Sequence, residues 1–210
     1  YYIGAIGCLG EGSSNSLSKD TDLALAIGTK LGDFTTGSWS NFQNEDFKLV
    51  SINTARFDVT KHLATPVISD AKIGLLELSK ALGDWRAPNN WYERSIDEKK
   101  KWDSYVEKQS GPTNQELPSY AHAVGAVYRN ADPSDIVVTA AGGLVGEVVQ
   151  IWKPKELNTF ETEWGFSCMG YEISGALGIK MAKPDQDVIV FVGDGSYLLH
   201  NSDIYSSVLY

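Results

Sequence analysis

The stretch Asp187-Val-Ile-Val-Phe-Val-Gly-Asp-Gly-Ser-Tyr-Leu-Leu-His-Asn-Ser202 decides how the chain is read. Val188 to Val192 is an apolar run without polar alternation, the pattern of a parallel strand buried on both faces. It stops at Gly193-Asp194-Gly195-Ser196, where two glycines around an acid allow a sharp turn and close approach to a ligand. A helix beginning near Tyr197 would aim its free N–H groups back at that turn, which makes a seat for an anion. A carboxylate among phosphate-binding amides repels phosphate unless a cation lies between them. Magnesium is that cation, since it binds through one or two carboxylates together with substrate phosphates. The residues therefore point to a Mg-diphosphate turn with Asp194 as a metal ligand.

Working outward, the segment before this motif repeats its logic. Asp135-Ile-Val-Val-Thr139 reads as a second buried strand, ending in Ala140-Ala-Gly-Gly-Leu144. Thr159 to Glu163 is a weaker strand, and Ser167 to Lys183 has a helical pattern. Strands alternating with helices describe a doubly wound α/β sheet, whose ligands sit outside the carboxyl ends of the strands. Gly142-Gly143 and Gly193-Asp194-Gly195 would then face one crevice. Gly170, Gly175 and Gly178 inside the expected helix cost roughly 1 kcal/mol each relative to alanine. Close packing of a small stripe, Gly170, Ser174 and Gly178, on the sheet would offset that cost. Met169 at the helix start fits a core position or a cofactor contact.

The first half reads as a separate unit. Asp22 to Gly28, Phe47 to Asn53 and Thr65 to Ser69 are short strands, and Asp70 is placed to cap a helix carrying Ile73, Leu75, Leu76, Leu78 and Leu82. Gly4, Gly7, Gly10 and Gly12 do not have dinucleotide-binding spacing, and residues 1–20 read as a packed glycine-rich loop. Turn formers from Gly83 to Asn90 mark a boundary. The charged run Glu93 to Lys108, with Asp97 and Lys101 spaced for an i,i+4 pair, reads as a solvated helix bridging the units. Glu116 to Arg129 is a further helix. The expectation is α/β, two open parallel-sheet units, over residues 1–88 and 89–210.

The net charge of −9 at pH 7, without a basic stripe, argues against nucleic acid or an anionic membrane as partner. It also means that a bound diphosphate depends on local help from a metal and helix ends. No apolar run approaches the roughly 18 to 20 residues of a membrane span. Cys8 and Cys168 lack metal-ligand spacing and suggest free thiols in a reducing compartment, a disulfide between them being the alternative, so a cytoplasmic protein is expected. The start Tyr1-Tyr-Ile-Gly4 has no signal-peptide character, and both ends read as cut from a longer protein. His200, a few residues past the motif, fits either a site-lining position or an ordinary core or surface role, and His62 and His122 read as ordinary core or surface residues.

Trp164-Gly-Phe-Ser-Cys-Met-Gly-Tyr171, the following small-residue helix and Val192-Gly-Asp-Gly-Ser196 together resemble the diphosphate-binding domain of thiamine diphosphate enzymes. Asp33-Phe-Thr-Thr-Gly-Ser38, Phe42-Gln-Asn44, Thr139-Ala-Ala-Gly-Gly143 and Gly165-Phe-Ser-Cys-Met-Gly-Tyr-Glu172 narrow the resemblance to the trihydroxycyclohexane-1,2-dione hydrolases of inositol catabolism. Residues 1–88 would be the latter part of a central domain and 89–210 the first part of the thiamine diphosphate domain.

The resemblance implies thiamine diphosphate and Mg2+ as cofactors and a small cyclic dione as substrate, opened at a ring carbon–carbon bond. It implies Asp194 as metal ligand, with Gly193, Gly195 and Ser196 shaping the loop around metal and diphosphate. Gly142 and Gly143 would lie near the diphosphate. Met169 becomes the apolar wedge under the bent cofactor, and the Ser167 main chain a contact to its pyrimidine. The family's Asn metal ligand follows the motif by a couple of dozen residues, and Asn201 is too close to be its counterpart. The activating glutamate belongs to a preceding domain of another subunit. The parent is thus expected to be a homodimer or homotetramer and these 210 residues alone inactive. An acetolactate-synthase-like carboligase or decarboxylase, and a non-catalytic nucleotide-binding α/β protein, are the competing readings.

Overall fold

A computed structural model describes residues 1–163 and 165–209. The chain divides into two compact units, Tyr1–Asp103 and Ser104–Tyr210.

In the first unit, helix α1 (Gly12–Asp20) precedes strand β1 (Leu23–Ile27), the single turn α2 (Asp33–Thr36), β2 (Lys48–Asn53), the turn α3 (Arg56–Val59), β3 (Thr65–Ile68) and α4 (Ala71–Leu82). The strands pair in parallel in the order β1-β2-β3, with Leu23 opposite Lys48 and Val50 opposite Thr65. Ala26, Leu31 and Leu49 form a small buried cluster, flanked by Ala24, Phe47 and Ala64. All of β3 is exposed, as befits an edge strand, although its sequence has the apolar character of a covered one. Asp70 caps α4 as its position predicts, accepting from the Lys72 and Ile73 amides at 2.9 and 3.2 Å. Ile73, Leu75, Leu76 and Leu82 of that helix are nevertheless exposed, and only Gly74 is buried, against Ile52.

The first 20 residues differ from the expected loop. Their second half is α1, which buries Ser13, Ser14, Leu17 and Ser18. The serines replace an apolar stripe by turning their hydroxyls onto main chain. Ser13 Oγ donates to Ile3 O at 2.7 Å, and Ser14 Oγ donates to Ala5 O. The glycine-rich segment before α1 packs tightly, and a Cβ on Gly7 would lie 2.0 Å from Phe34 O.

Helix α5 (Asn89–Ser110) runs through the point at which the two units divide. Its Asp97–Lys101 ion pair is present at 2.7 Å. The run is not wholly solvated, however. Lys99 is 14% exposed at its side chain and bonds Glu11, 6% exposed, at 3.1 Å and Asp103 at 2.8 Å. Burying these groups is tolerated because each has an opposite charge within hydrogen-bond reach.

The second unit continues with α6 (Tyr120–Asn130), β4 (Ile136–Thr139), α7 (Gly143–Ile151), β5 (Phe160–Thr162), α8 (Tyr171–Ala182), β6 (Val188–Val190), α9 (Asp194–His200) and α10 (Ser202–Leu209). Its sheet is parallel in the order β5-β4-β6. Every residue of β4 is buried, because it lies centrally between two neighbours. β6 is only partly buried, which corrects the two-sided burial read from Val188 to Val192. Its apolar run is as continuous as that of β4, but it has a pairing partner on one side alone.

Two further corrections concern α8. The helix starts at Tyr171, four residues later than expected, because Gly170 holds a left-handed conformation (φ 96°) as its N-cap. Only Gly175 and Gly178 are then helix-interior glycines, at a cost of roughly 2 kcal/mol. The small-residue stripe does not face the sheet. Ser174 and Gly178 are exposed, no atom lies within 4 Å of a Cβ built on Gly178, and Glu172 and Ala176 form the buried face.

Candidate functional site

β4 and β6 are adjacent and parallel, so the segments leaving their carboxyl ends emerge side by side. Phe191 N–H extends the pairing by donating to Val138 O at 2.9 Å. After β4, Ala140 and Ala141 are buried and Gly142 turns the chain with φ 80° and ψ −172°, a region open essentially to glycine alone. Gly143 then opens α7. After β6, Gly193 caps α9 and Asp194 occupies its first turn. The first N–H groups of a helix lack main-chain partners within it, so both segments bring such groups to one end of the sheet. A Cβ on Gly142, Gly143 or Gly193 would meet no atom within 4 Å. The three glycines thus face open space.

The segment between Gly165 and Gly170 supplies a third side. Ser167, in a left-handed conformation (φ 52°), donates from Oγ to Ala140 O at 3.3 Å and so reaches the end of β4. Glu163 organises this turn. Its Oε2 accepts from Cys168 N–H and its Oε1 from Phe166 N–H, both at 2.8 Å. Those bonds, the Cys168 amide first, hold its carboxyl below the ordinary glutamate value of 4.5. The Cys168 thiol moves the other way, raised by local desolvation and then by the charge of Glu163 beside it. Both cysteines are free thiols.

Met169 is 45% exposed, and its Cε lies 3.0 Å from a Cβ built on Gly195. Absence of a side chain at Gly195 therefore makes room for the methionine against the first turn of α9. Ser196 is buried, whereas Asp194 is exposed and its Oδ1 accepts from Gly195 N–H at 2.9 Å. Gly142 and Gly143, Ser167 and Met169, and Gly193 to Ser196 come from three separate stretches and meet at one end of one sheet. Asp194 can offer a carboxylate to a cation there. Among the described residues, no group of three or more His, Cys, Asp or Glu side chains is placed to hold a metal.

Two further side chains border this site, His200, for which a site-lining position is one of two readings, and Glu172, to which the sequence assigns no role. His200 lies over Gly170, with its Cδ2 2.1 Å from where a Cβ on that glycine would be. Glu172 is fully buried, its Oε1 accepting from Ala141 N–H at 3.1 Å and its Oε2 from Gly170 N–H at 2.8 Å. An isolated acid inside the apolar stretch Met169 to Ile173 was the available signal. No helix among the described residues is long and apolar enough to cross a membrane.

Comparison with known proteins identifies the family of the chain. Residues 1–78 match the thiamine pyrophosphate enzyme central domain, and residues 140–210 match the thiamine pyrophosphate enzyme C-terminal TPP binding domain. The chain is 34% identical over 232 residues to a 3D-(3,5/4)-trihydroxycyclohexane-1,2-dione hydrolase of Bacillus anthracis (strain CDC 684 / NRRL 3495), covering 99% of this chain and 36% of the relative. Enzymes of the same name from Geobacillus thermodenitrificans (strain NG80-2) and Clostridium tetani (strain Massachusetts / E88) are also 34% identical, over 98% of this chain and 35% and 36% of their own lengths. The chain therefore spans about a third of the length of these curated relatives. With matches to two successive domains of one family along an α/β chain of the corresponding order, the chain belongs to the thiamine pyrophosphate enzymes.

Proposed function

We propose that the whole protein carrying this chain is a thiamine diphosphate- and Mg2+-dependent hydrolase that opens a ring carbon–carbon bond of a trihydroxycyclohexane-1,2-dione. The observation that carries this reading is the convergence of Gly142, Gly143, Met169 and Asp194 at the carboxyl ends of β4 and β6. Similarity to the dione hydrolases along almost the whole chain supports the choice of substrate.

In this reading Asp194 holds Mg2+, and the segments at Gly142-Gly143 and Gly193-Asp194-Gly195-Ser196 surround metal and diphosphate. The helix starts of α7 and α9 favour an anion, which the net charge of −9 otherwise repels. The Ser167 main chain contacts the pyrimidine, and Met169 supports the cofactor from below on its apolar side. When bound, the thiazolium supplies the carbanion and electron sink needed to cleave a bond next to a ketone. The residues of this chain bind and orient. Proton transfer to the pyrimidine and most substrate contacts fall to other parts of the whole protein, which we propose acts as a homodimer or homotetramer in the cytoplasm. Separate from those parts, these 210 residues have no turnover.

The test is calorimetric titration of the whole protein with thiamine diphosphate, with and without Mg2+, followed by assay with the dione and with pyruvate. Mg-dependent binding that is lost in Asp194→Ala, together with dione ring opening, is expected. Product from pyruvate alone would replace the proposed substrate with that of a carboligase or decarboxylase. Absence of binding would leave a non-catalytic α/β protein.

A further inference from the structure

We propose that Glu172 is a positioning residue for the cofactor, setting the spacing between the Gly142-Gly143 turn and Met169. The proposal rests on the thiamine diphosphate reading above and adds a role to a side chain that would not itself touch the ligand.

The geometry is that of a clamp. Glu172 is the second residue of α8, 0% exposed, and each of its carboxyl oxygens accepts from a different segment. Oε1 takes the amide of Ala141, on the connection between β4 and α7, at 3.1 Å. Oε2 takes the amide of Gly170, the N-cap of its own helix, at 2.8 Å. A carboxyl group is costly to bury, and this one is retained in a setting where both oxygens have donors and the helix N-terminus favours an acid. One side chain thus ties together two segments that are 29 residues apart in sequence.

What the clamp fixes follows from the residues next to its two anchors. Ala141 precedes Gly142, so its N–H, committed to Glu172, is withdrawn from any ligand. The amides of Gly142 and Gly143 are the next available, beside open space where no atom lies within 4 Å of either built Cβ. Gly170 follows Met169, whose Cε approaches Gly195. Holding the Gly170 amide therefore holds the main chain from which Met169 projects. The Ser167 Oγ bond to Ala140 O, at 3.3 Å, is a second and more exposed tie between the same segments. Glu172 accordingly sets the distance between the turn expected to meet the diphosphate and the side chain expected beneath the rings of the same molecule.

The experiment compares Glu172→Gln and Glu172→Ala with wild type in the whole protein. Gln keeps the volume and one acceptor but places an NH2 group opposite the other amide. Calorimetric affinity for thiamine diphosphate is measured at saturating Mg2+, below the melting temperatures of all forms, alongside hydrogen exchange of the Ala141 and Gly170 amides without cofactor. Glu172→Ala should exchange both amides at least tenfold faster and bind thiamine diphosphate at least tenfold more weakly, a change of about 1.4 kcal/mol. Glu172→Gln should fall between. In steady state, the KM for thiamine diphosphate should rise while kcat at saturating cofactor stays within about twofold. Folded variants with faster exchange but wild-type cofactor affinity would overturn the proposal, since Glu172 would then only stabilise the fold. If Glu172→Ala does not fold, the affinity of Glu172→Gln decides: weakened supports the clamp and unchanged overturns it. A wild-type protein that fails to bind thiamine diphosphate sinks the functional reading and this role together, whereas tight wild-type binding with unaltered variants sinks this role alone.

Discussion

Gly142→Ala and Gly143→Ala form a pair in which adjacent, chemically identical changes should act in opposite directions. At Gly142 the added Cβ meets open space, so steric collision contributes nothing. The backbone, at φ 80° and ψ −172°, is in a region that side-chain-bearing residues essentially avoid, at a cost of about 1 to 3 kcal/mol. Alanine is also a poorer N-cap than glycine at the start of α7. Gly143 has the same open surroundings but is the first residue of the helix and is absent from the positive-φ residues. Alanine there reduces the freedom of the unfolded chain and should stabilise by about 0.4 to 1 kcal/mol. Urea unfolding of the whole protein, followed through the transition of this unit, should give a lower midpoint for Gly142→Ala and an equal or higher one for Gly143→Ala, with unchanged slopes. Both methyl groups would project into the space assigned to the diphosphate. Both variants should therefore lose the stabilisation that saturating thiamine diphosphate and Mg2+ give the wild type. Equal shifts in the two cofactor-free midpoints would refute the conformational argument. Retention of full cofactor stabilisation by both variants would refute the placement of the diphosphate.

Gly170→Ala should be more damaging than Gly142→Ala, because a left-handed φ of 96° is compounded by a Cβ 2.1 Å from His200 Cδ2. His200→Ala in the same background should restore the steric part, so a double-mutant cycle by thermal unfolding should show coupling, and additive effects would be evidence against the packing of His200 over Gly170. At Glu163 the folded carboxyl titrates below its ordinary value, so the contribution it makes to the 165–168 turn is present above that value and lost as pH falls through the lowered one. Protection of the Phe166 and Cys168 amides, measured relative to their intrinsic exchange rates at each pH, should fall on acidification in the wild type, while Glu163→Gln should show lower protection at neutral pH and lack the acid-side change. The same substitution should bring the Cys168 thiol part of the way back down, read as faster alkylation at pH ~8, because local desolvation, the larger cause of its elevation, remains.

The elements that could be read from sequence were those whose signal is local. Asp135 to Thr139 is an apolar run between turn formers and becomes the buried strand β4, and Asp70 before a helical pattern becomes a cap. The run Val188 to Val192 carries the same local signal, but its burial depends on how many strands flank it, which no local pattern encodes. α7 follows from the alternation of strands and helices, although no local signal bounds it. Leu144, Val145, Val148 and Ile151 have helical spacing, while Gly142-Gly143 marks the turn from which the helix starts. α1 was harder, since serines bonded to distant carbonyl groups take the place of its apolar face. For the candidate site, Gly142, Gly143, Met169 and Gly193 to Ser196 were identified from motif and resemblance, and the sheet topology explains why they meet. Glu172 stayed hidden because its role exists only once β4 and α8 are assembled, its Ala141 partner being 31 residues away.

That division between local and assembled signals bears on the metal. Asp194 sits in the first turn of α9 and already accepts its own neighbour's amide through Oδ1. No cluster of three potential metal-ligating side chains accompanies it among the described residues. Mg2+ gives up its water reluctantly and is ordinarily held by one or two carboxylates with substrate phosphate oxygens, not by a dedicated protein cage. On this chain, Asp194 alone provides too little to recruit the ion, while the surrounding negative charge opposes a bare diphosphate. On the proposed reading each ligand removes the obstacle to the other: the ion offsets the carboxylate's repulsion of phosphate, and phosphate oxygens add coordination that Asp194 alone does not provide. On that reading, the turn that begins at Gly193 is one site for the metal-diphosphate pair, not two sites that happen to adjoin, and the Glu172 clamp fixes the segment facing it.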